Sequence, residues 1–265
     1  MKAAWVQLLR ALLLVLVAAL ALQIFFLGRI ALMVVVDPQS TTFQRSEVWR
    51  LLTEKHQILW AQQWVNDPRI SANLKRAVIA SEDAGFADHS GVEWDALEKA
   101  WERNQKAEAR VEKINEQIDK RAQKALTMGK TVTAAKAPVH TQPKVVGGST
   151  ITQQLAKNLF LGSERSLLRK AQEFVVTFML EAVLSKQRIL EIYLNSVEWG
   201  EGVFGAEAAA RHYFHVGASS LGAMQAAQLA VMLPAPKRFE KRPGSAYVVG
   251  RAATVAARMG AVDLP

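Results

Sequence analysis

Cysteine is absent from this chain of 265 residues, so disulfide cross-links, thiolate metal sites and cysteine nucleophiles are excluded. The absence leaves the compartment open, because a periplasmic protein and a cytosolic protein can each do without disulfides. Runs of strand-forming residues are also scarce, and helical spacing dominates along the chain. The sequence therefore predicts a mainly α fold whose chemistry depends on other side chains.

Negative charge is in short supply as well. The 24 acidic residues are outnumbered by 33 lysines and arginines, which gives a net charge of +9 and a pI near 9.9. A protein this basic requires an anionic partner or an anionic surface. Nucleic acid would satisfy the charge, but the N-terminus indicates a membrane instead.

A long apolar run, residues 11–36, exceeds the ~20 residues needed to cross a bilayer, and we predict a transmembrane helix there. Lys2 and Arg10 precede it, so the positive-inside rule predicts a cytoplasmic N-terminal segment, 1–10, with the rest of the chain outside. The alternative is a cleaved signal peptide ending near Ala19-Leu20-Ala21, although the apolar run continues well past that point.

The remainder divides into a membrane-proximal segment, 37–70, and a main domain, 71–265. A helix is predicted to follow Pro38, and its tryptophans suit either a membrane interface or a core. The side chains that define this predicted helix are Trp49, Leu52, Trp60 and Trp64.

Part of the main domain has the composition of an insertion. From Glu98 to Lys124, apolar residues three or four apart form a narrow stripe among acids and bases, which predicts an amphipathic helix. The basic, low-complexity stretch from Met128 to Val146 predicts a flexible linker. We interpret residues 104–146 as an insertion into one domain rather than a boundary between two.

Two adjacent carboxylates, Glu82 and Asp83, stand at the predicted end of a helix that begins at the N-cap candidate Ser71 and stops near Gly85. The negative end of the helix dipole disfavours an ionised carboxylate and raises its pKa, which suits a general base. The alternative is an ordinary polar helix end, and this stretch alone does not decide between them.

A second candidate site is the start of the helix that follows Gly147-Gly148. Thr150 and Gln153 have the spacing of a capping box, and glycines before a helix N-terminus allow a phosphate to approach the backbone. Ser149, Gln153 and Lys157 are predicted to share one polar face. The adjacent apolar stripe is formed by Ile151, Leu155 and Leu159.

Cations recur on the next predicted helix, from about Ser166 to Leu184. Arg165, Arg169 and Glu173 follow at four-residue steps, with Lys170 beside them, and the alternative is a solvated ladder of weak ion pairs. Ser185 is predicted to open a further helix that ends at Asn195. His212 and His215 show no spacing typical of metal ligands and are interpreted as structural or surface residues.

Together these stretches resemble the ordered motifs of a known family. The motifs are Glu82-Asp83-x-x-Phe86-x-x-His89-x-Gly91, Gly147-Gly-Ser-Thr-Ile-Thr-Gln-Gln-Leu-Ala-Lys-Asn158, Arg169-Lys170-x-x-Glu173, Ile189-Leu190-Glu191-x-Tyr193-Leu194-Asn195, and Gly202, Gly205 and Ala209 with Tyr213-Phe214. Their order, over roughly 74–239, resembles that of the peptidoglycan glycosyltransferases of family 51. The resemblance implies a lysozyme-like helical glycosyltransferase domain that polymerises lipid II into β-1,4-linked glycan.

The resemblance also implies roles for individual residues. Glu82 would be the general base that takes the proton of the acceptor 4-hydroxyl, with Asp83 beside it and Glu173 near the leaving diphosphate. A divalent cation such as Mg or Mn is a possible cofactor. The residues implied in substrate binding are Phe86, His89, Ser149, Thr150, Gln153, Gln154, Lys157, Asn158, Arg165, Arg169 and Lys170.

The partners implied are lipid II, the growing lipid-linked glycan, the inner membrane and cell-wall or division proteins, with no nucleic acid. The catalytic domain would be periplasmic. No Ser-x-x-Lys motif occurs, and too little chain follows Pro236 for a transpeptidase domain, so the sequence resembles the monofunctional members.

The chain departs from the family pattern in two places. The link between the first two motifs is longer than the family pattern predicts, because of residues 104–146. The acidic position after His-x-Gly is ambiguous between Glu93 and Asp95, and neither is assigned a catalytic role.

Two rival functions remain at this stage. A lytic enzyme of similar fold would cut glycan with one acidic glutamate, and it has no use for cations arranged around a diphosphate. A membrane-anchored scaffold without catalysis is the other rival, and intact Glu82 and Glu173 argue against it.

Overall fold

The computed structural model describes residues 2–127, 140–142, 148–162, 164 and 166–265. The predicted mainly α fold is confirmed. By internal contacts the chain forms two compact units, one made of Met1–Val92 and Thr150–Pro265, the other of Glu93–Ser149.

The secondary structure is dominated by helices. These are α1 (Lys2–Leu32), α2 (Thr42–Lys55), α3 (Ala72–Glu82), α4 (Trp94–Thr127), α5 (Ile151–Phe160), α6 (Leu167–Val183), α7 (Lys186–Ser196), α8 (Ala206–Phe214), α9 (Ala223–Met232), α10 (Pro236–Phe239) and α11 (Ala246–Arg258). Three short strands form one sheet, β1 (Ala61–Gln62), β2 (Glu198–Gly200) and β3 (Val203–Phe204), in the order β1-β3-β2. Strand β1 is parallel to β3, and β2 is antiparallel to it.

Side-chain caps begin the helices that carry the predicted motifs. At each predicted start a hydroxyl accepts a hydrogen bond from a backbone N–H of the first turn, so the helix does not leave that donor unpaired. The caps are Ser71 for α3, Thr150 for α5, Ser166 for α6 and Ser185 for α7. These four predicted starts are confirmed.

The predicted helix in the segment 37–70 is correct only in part. Helix α2 ends at Lys55, where His56 adopts a left-handed conformation with φ of 53°. Trp60 and Trp64 therefore lie beyond the helix, because the backbone at Ala61 pairs with a strand far along the chain. Likewise α3 ends at Glu82 with Asp83 as its C-cap, before the predicted stop at Gly85.

The core of the first unit is built around α3, α5 and α9. Helix α3 packs against α9 and α11, and α5 packs against α2, α6 and α7. Fully buried side chains line these contacts, including Leu74, Val78, Ile151, Leu155, Leu180 and Leu229. Hydrogen bonds from Ile151 to Asp83 and from Gln154 to Glu82 hold the C-terminal end of α3 beside the N-terminal half of α5.

Helix α1 is long and apolar enough to cross a membrane over Ala4–Leu32, and it fits a membrane anchor. It begins earlier and ends earlier than the predicted span of 11–36. The anchor is also docked on its own domain, since Gln23 and Gln172 of α6 exchange two side-chain hydrogen bonds of 2.9 Å.

A second attachment holds the chain just after the C-terminal end of α1. Arg188 at the start of α7 donates to the carbonyl oxygen of Met33 at 2.9 Å and forms an ion pair with Asp37 at 2.7 Å. Phe26 contacts Phe160, with ring centroids 5.1 Å apart. The C-terminal part of α1 thus packs against its own domain.

The second unit contains α4 and a short described segment at 140–142. Asn115 exchanges two hydrogen bonds with the backbone of Thr141, and Asp119 contacts His140 at 2.8 Å. The predicted amphipathic helix from Glu98 to Lys124 is confirmed as the interior of α4. The predicted flexible linker lies outside the described residues except at 140–142.

Candidate active site

Glu82 is the last residue of α3 and is partly buried. Its Oε2 accepts a hydrogen bond of 2.9 Å from Nε2 of Gln154 on α5. Burial raises the pKa of Glu82, and the neighbouring charge of Asp83 raises it further, while the hydrogen bond from Gln154 opposes both. The raised pKa agrees in direction with the sequence-based expectation, but burial rather than the helix dipole is its main cause.

Asp83 is only 4% exposed, and both of its carboxylate oxygens are engaged. Oδ1 contacts Nε2 of His89 at 2.8 Å, and Oδ2 accepts a hydrogen bond of 2.9 Å from the backbone N–H of Ile151. Ile151 is the first residue of α5, so this carboxylate connects the end of α3 to the start of α5.

His89 and Phe86 hold the loop after Asp83 in place. Nδ1 of His89 accepts a hydrogen bond of 3.1 Å from the backbone N–H of Gly91, which assigns the proton to Nε2 and makes that nitrogen the donor to Asp83. Phe86 is fully buried, and the ammonium of Lys186 lies 4.6 Å from its ring centroid. The contacts of both side chains lie within the protein.

We expect Asp83→Asn to destabilise the protein by about 2 kcal/mol, because an asparagine cannot satisfy both the His89 N–H and the Ile151 N–H in this buried position. Urea denaturation of the full chain measures the loss. Asp88→Asn, at an exposed position in the same loop, is the matched control and should unfold at the same urea concentration as wild type. Equal stability of the two variants would contradict the structural role of Asp83.

The capping box at the start of α5 is confirmed, and it changes the predicted polar face. Gln153 is buried and turns back, so that its Oε1 accepts from the backbone N–H of Thr150 at 3.1 Å. Ser149 precedes the helix, is exposed and belongs to the other unit. The prediction that Ser149, Gln153 and Lys157 share one polar face was therefore wrong, because capping removes Gln153 from it.

Thr150 and Gln153 make further contacts within the motif. The hydroxyl of Thr150 donates to the carbonyl oxygen of Gly91 at 2.6 Å, which joins this helix start to the loop of His89. Nε2 of Gln153 is buried and has no hydrogen-bond partner among the described residues.

Sequence reasoning missed Tyr193 as a residue of this site. Its hydroxyl donates to Oε1 of Gln154 at 2.8 Å, so it is one side chain removed from Glu82. Burial raises its pKa well above the ordinary value, and Glu82 and Asp83 add to that effect. Tyr193 belongs to one of the quoted motifs, but no local spacing in the sequence connects it with a glutamate in α3.

A cleft of about 300 Å³ opens beside the second half of α5. Its lining comes from α2, α5, the loop after α5 and α6, namely Phe43, Ser46, Lys157, Asn158, Leu161, Gly162 and Arg169. Lys157 is an exposed residue of this lining, so its ammonium is reachable from solvent. Desolvation by the surrounding protein lowers the pKa of Lys157, whereas the charge of Glu173 opposes that effect.

Glu173 on α6 is 3% exposed and is held between two cations. Arg169 donates to its Oε2 at 3.0 Å, and Lys170 forms an ion pair with its Oε1. The carboxylate of Glu173 is therefore not solvated, while Arg169 and Lys170 remain partly exposed. Nε of Arg169 is buried without a hydrogen-bond partner in the described part of the chain, and Arg165 lies outside the described residues.

Two successive turns of α5 therefore have different chemistry. Gln154 contacts a carboxylate of raised pKa, and Lys157, three residues or ~4.5 Å further along the helix, lies near the ion pairs of Glu173. A hydroxyl can be deprotonated beside Gln154 while an anionic group is bound beside Lys157. Within the described ranges, no group of three or more His, Asp or Glu side chains is placed to hold a metal ion.

Comparison with known proteins finds relatives over most of the chain. The family model described as "Transglycosylase" matches residues 52–121 and 121–260. A biosynthetic peptidoglycan transglycosylase of Paraburkholderia phytofirmans is 48% identical over 249 residues, which cover 94% of this chain and 90% of the relative. Proteins of the same name from Burkholderia orbicola and Burkholderia vietnamiensis are 50% identical over 248 residues, with 94% of this chain and 87% of each relative covered.

Proposed function

The chain belongs to the transglycosylase family, and from this membership we propose that it is a membrane-anchored peptidoglycan glycosyltransferase that polymerises lipid II. The reaction is an inverting transfer in cell wall biosynthesis. The observation that carries the proposal lies on α5. Gln154 is hydrogen-bonded to Glu82, whose pKa is raised, and Lys157 lies one turn further along the same helix, near the ion pairs of Glu173.

In the proposed step the 4-hydroxyl oxygen of the acceptor sugar attacks the anomeric carbon of the donor. Glu82 takes the hydroxyl proton, and the bond between the anomeric carbon and the diphosphate oxygen breaks on the opposite face. The diphosphate leaves with the bonding electron pair, and Lys157, Arg169 and Lys170 stabilise the charge that develops on it. Glu82 then releases its proton to solvent.

The other predicted site residues divide into two groups. We propose that Asp83, Phe86, His89, Thr150 and Gln153 position the base and the start of α5, because their contacts lie within the protein. Residues proposed to contact the substrate directly are Gln154, Lys157, Asn158, Arg165, Arg169 and Lys170. Glu173 is proposed to hold Arg169 and Lys170 in place, because both of its carboxylate oxygens are paired with them.

A divalent cation would supply further positive charge at the diphosphate. The described residues do not fit such an ion well, since both oxygens of Glu173 are already paired with Arg169 and Lys170. The proposed chemistry therefore runs through the lysine and arginine side chains.

The proposed location is the inner membrane, with the N-terminus in the cytoplasm and the catalytic domain in the periplasm. Lys2 and Arg10 at the start of α1 support this orientation through the positive-inside rule. The proposed partners are lipid II and the growing glycan. The unit Glu93–Ser149 is proposed to dock cell-wall or division proteins, because its charged helix α4 offers a surface that lies outside the motifs shared with the family.

Polymerisation by the full chain tests the function. The protein is reconstituted in vesicles with lipid II, and the product is separated by gel and digested with a muramidase that cuts β-1,4 bonds. We expect long glycan that this digestion reduces to disaccharide. A chain that instead releases soluble fragments from preformed peptidoglycan would be a lytic enzyme, and a chain that does neither would act as a scaffold.

A further inference from the structure

Three side chains form a hydrogen-bonded series from the core to Glu82. The hydroxyl of Tyr193 on α7 donates to Oε1 of Gln154 at 2.8 Å, and Nε2 of Gln154 donates to Oε2 of Glu82 at 2.9 Å. A primary amide has one acceptor oxygen and one donor nitrogen. The contact made at one end of Gln154 therefore determines what its other end offers to the carboxylate.

Burial of Tyr193 determines which end of the Gln154 amide faces its hydroxyl. Tyr193 is 0% exposed, so its O–H has no access to bulk water and needs a protein acceptor. If the amide were reversed, Oε1 of Gln154 would face Oε2 of Glu82, and two oxygen lone pairs would repel unless Glu82 carried a proton. The observed orientation thus favours the ionised carboxylate, whereas the reversed one favours the carboxylic acid.

We propose that Tyr193 is a positioning residue that holds the amide of Gln154 with its nitrogen toward Glu82 and thereby keeps the base ready to accept a proton. This inference rests on the proposed function of Glu82. Burial and the charge of Asp83 both raise the pKa of Glu82 and so favour its protonated form. The hydrogen bond from Gln154 is the largest influence that lowers this pKa, so the orientation of the amide matters.

The other ionisable groups on the surrounding helices do not replace this contact. Helix α9, which packs along α3, contains none, and those of α11 are exposed, namely Tyr247, Arg251 and Arg258. On α7, Lys186 is paired with Glu181, and Arg188 is paired with Glu191 and Asp37. On α5, Lys157 is coupled to Glu173, Arg169 and Lys170.

The experiment compares pH profiles of kcat/KM for lipid II polymerisation by wild type, Tyr193→Phe, Gln154→Met and the double variant. We expect the acid limb to move up by about one pH unit in Tyr193→Phe, with activity recovered at higher pH. Gln154→Met should move the limb in the same direction, because it removes the same N–H donor. The double variant should match Gln154→Met, since the tyrosine acts through the amide.

Tyr213→Phe is the matched control. Tyr213 is a partly buried tyrosine, and its hydroxyl donates to the carbonyl oxygen of Trp199 at 2.8 Å, away from Glu82. Its acid limb should coincide with that of wild type. If Tyr193→Phe does not fold, Gln154→Met alone must still shift the limb.

The outcomes separate this inference from the proposed function. If wild type makes no glycan, the proposed function fails. If wild type polymerises with an acid limb that Tyr193→Phe leaves in place, or if the shifts of the two single variants add in the double variant, only the role of Tyr193 is overturned.

Discussion

Replacement of Glu82 by glutamine should reduce the rate of lipid II polymerisation by about 10³-fold, because the acceptor hydroxyl then has no base to take its proton. The amide preserves the shape of the side chain and can still accept the hydrogen bond from Gln154. Binding of lipid II should therefore change little, and the loss should appear in kcat. Single-turnover rates on vesicle-bound enzyme measure it.

The same substitution should leave the protein at least as stable as wild type at neutral pH. Burial raises the pKa of Glu82, so folding with an ionised carboxylate at this position is unfavourable, and a neutral amide removes that cost.

For the activity measurement, Glu240→Gln, at a partly buried glutamate outside the site, is the control and should retain full activity. A Glu82→Gln enzyme that polymerises at the wild-type rate would exclude Glu82 as the base.

Replacement of Lys157 by methionine should lower kcat/KM by about 10²-fold to 10³-fold, because a charge that stabilises the departing diphosphate is removed from the cleft. Methionine keeps most of the volume of the lysine, so α5 should pack as before. Lys241→Met, at an exposed lysine outside the cleft, is the matched control. Equal kcat/KM for Lys157→Met and Lys241→Met would contradict the proposed contact with the diphosphate.

The pH dependence gives a second measurement of the same residue. Burial lowers the pKa of Lys157, and the protonated form is the one that binds an anion, so activity should be present below this lowered pKa and fall as the pH rises through it. Lys157→Arg keeps a guanidinium that stays charged. Its alkaline limb should therefore lie at higher pH than that of wild type, whatever its absolute rate.

Local chemistry explains which structural predictions succeeded. A helix start depends on one hydroxyl and a backbone N–H two or three residues later, so Ser71, Thr150, Ser166 and Ser185 could be identified from sequence alone. The apolar stripe of α5 was predictable for the same reason. The order of the motifs then indicated which of these helices carry the site.

Long-range pairing explains the failures. Strand β1, which follows Trp60, pairs with Val203 and Phe204. No local pattern near Ala61 identifies that partner strand. The engagement of Asp83 with Ile151 spans 68 positions, and the contact between Tyr193 and Gln154 spans 39. Such contacts depend on how α3, α5 and α7 pack, which the spacing within one helix does not determine.

Gln153 shows a different limit. Its spacing from Thr150 fits a capping box and also fits a polar helix face that includes Lys157, and both interpretations follow from the same residues. A side chain can satisfy only one of them. The structure assigns Gln153 to the cap. Of the two glutamines predicted to bind substrate, only Gln154, which contacts Glu82, is proposed to keep that role.

The docking of the anchor has a mechanical consequence. A domain joined to the bilayer by one flexible point would tumble freely, but α1 is fixed twice, by Gln23 to Gln172 and by Arg188 to Met33 and Asp37. The anchor and α6 must therefore tilt together when the bilayer is thinner or thicker than the apolar length of α1. We therefore expect membrane thickness to change the angle at which the cleft faces the bilayer surface.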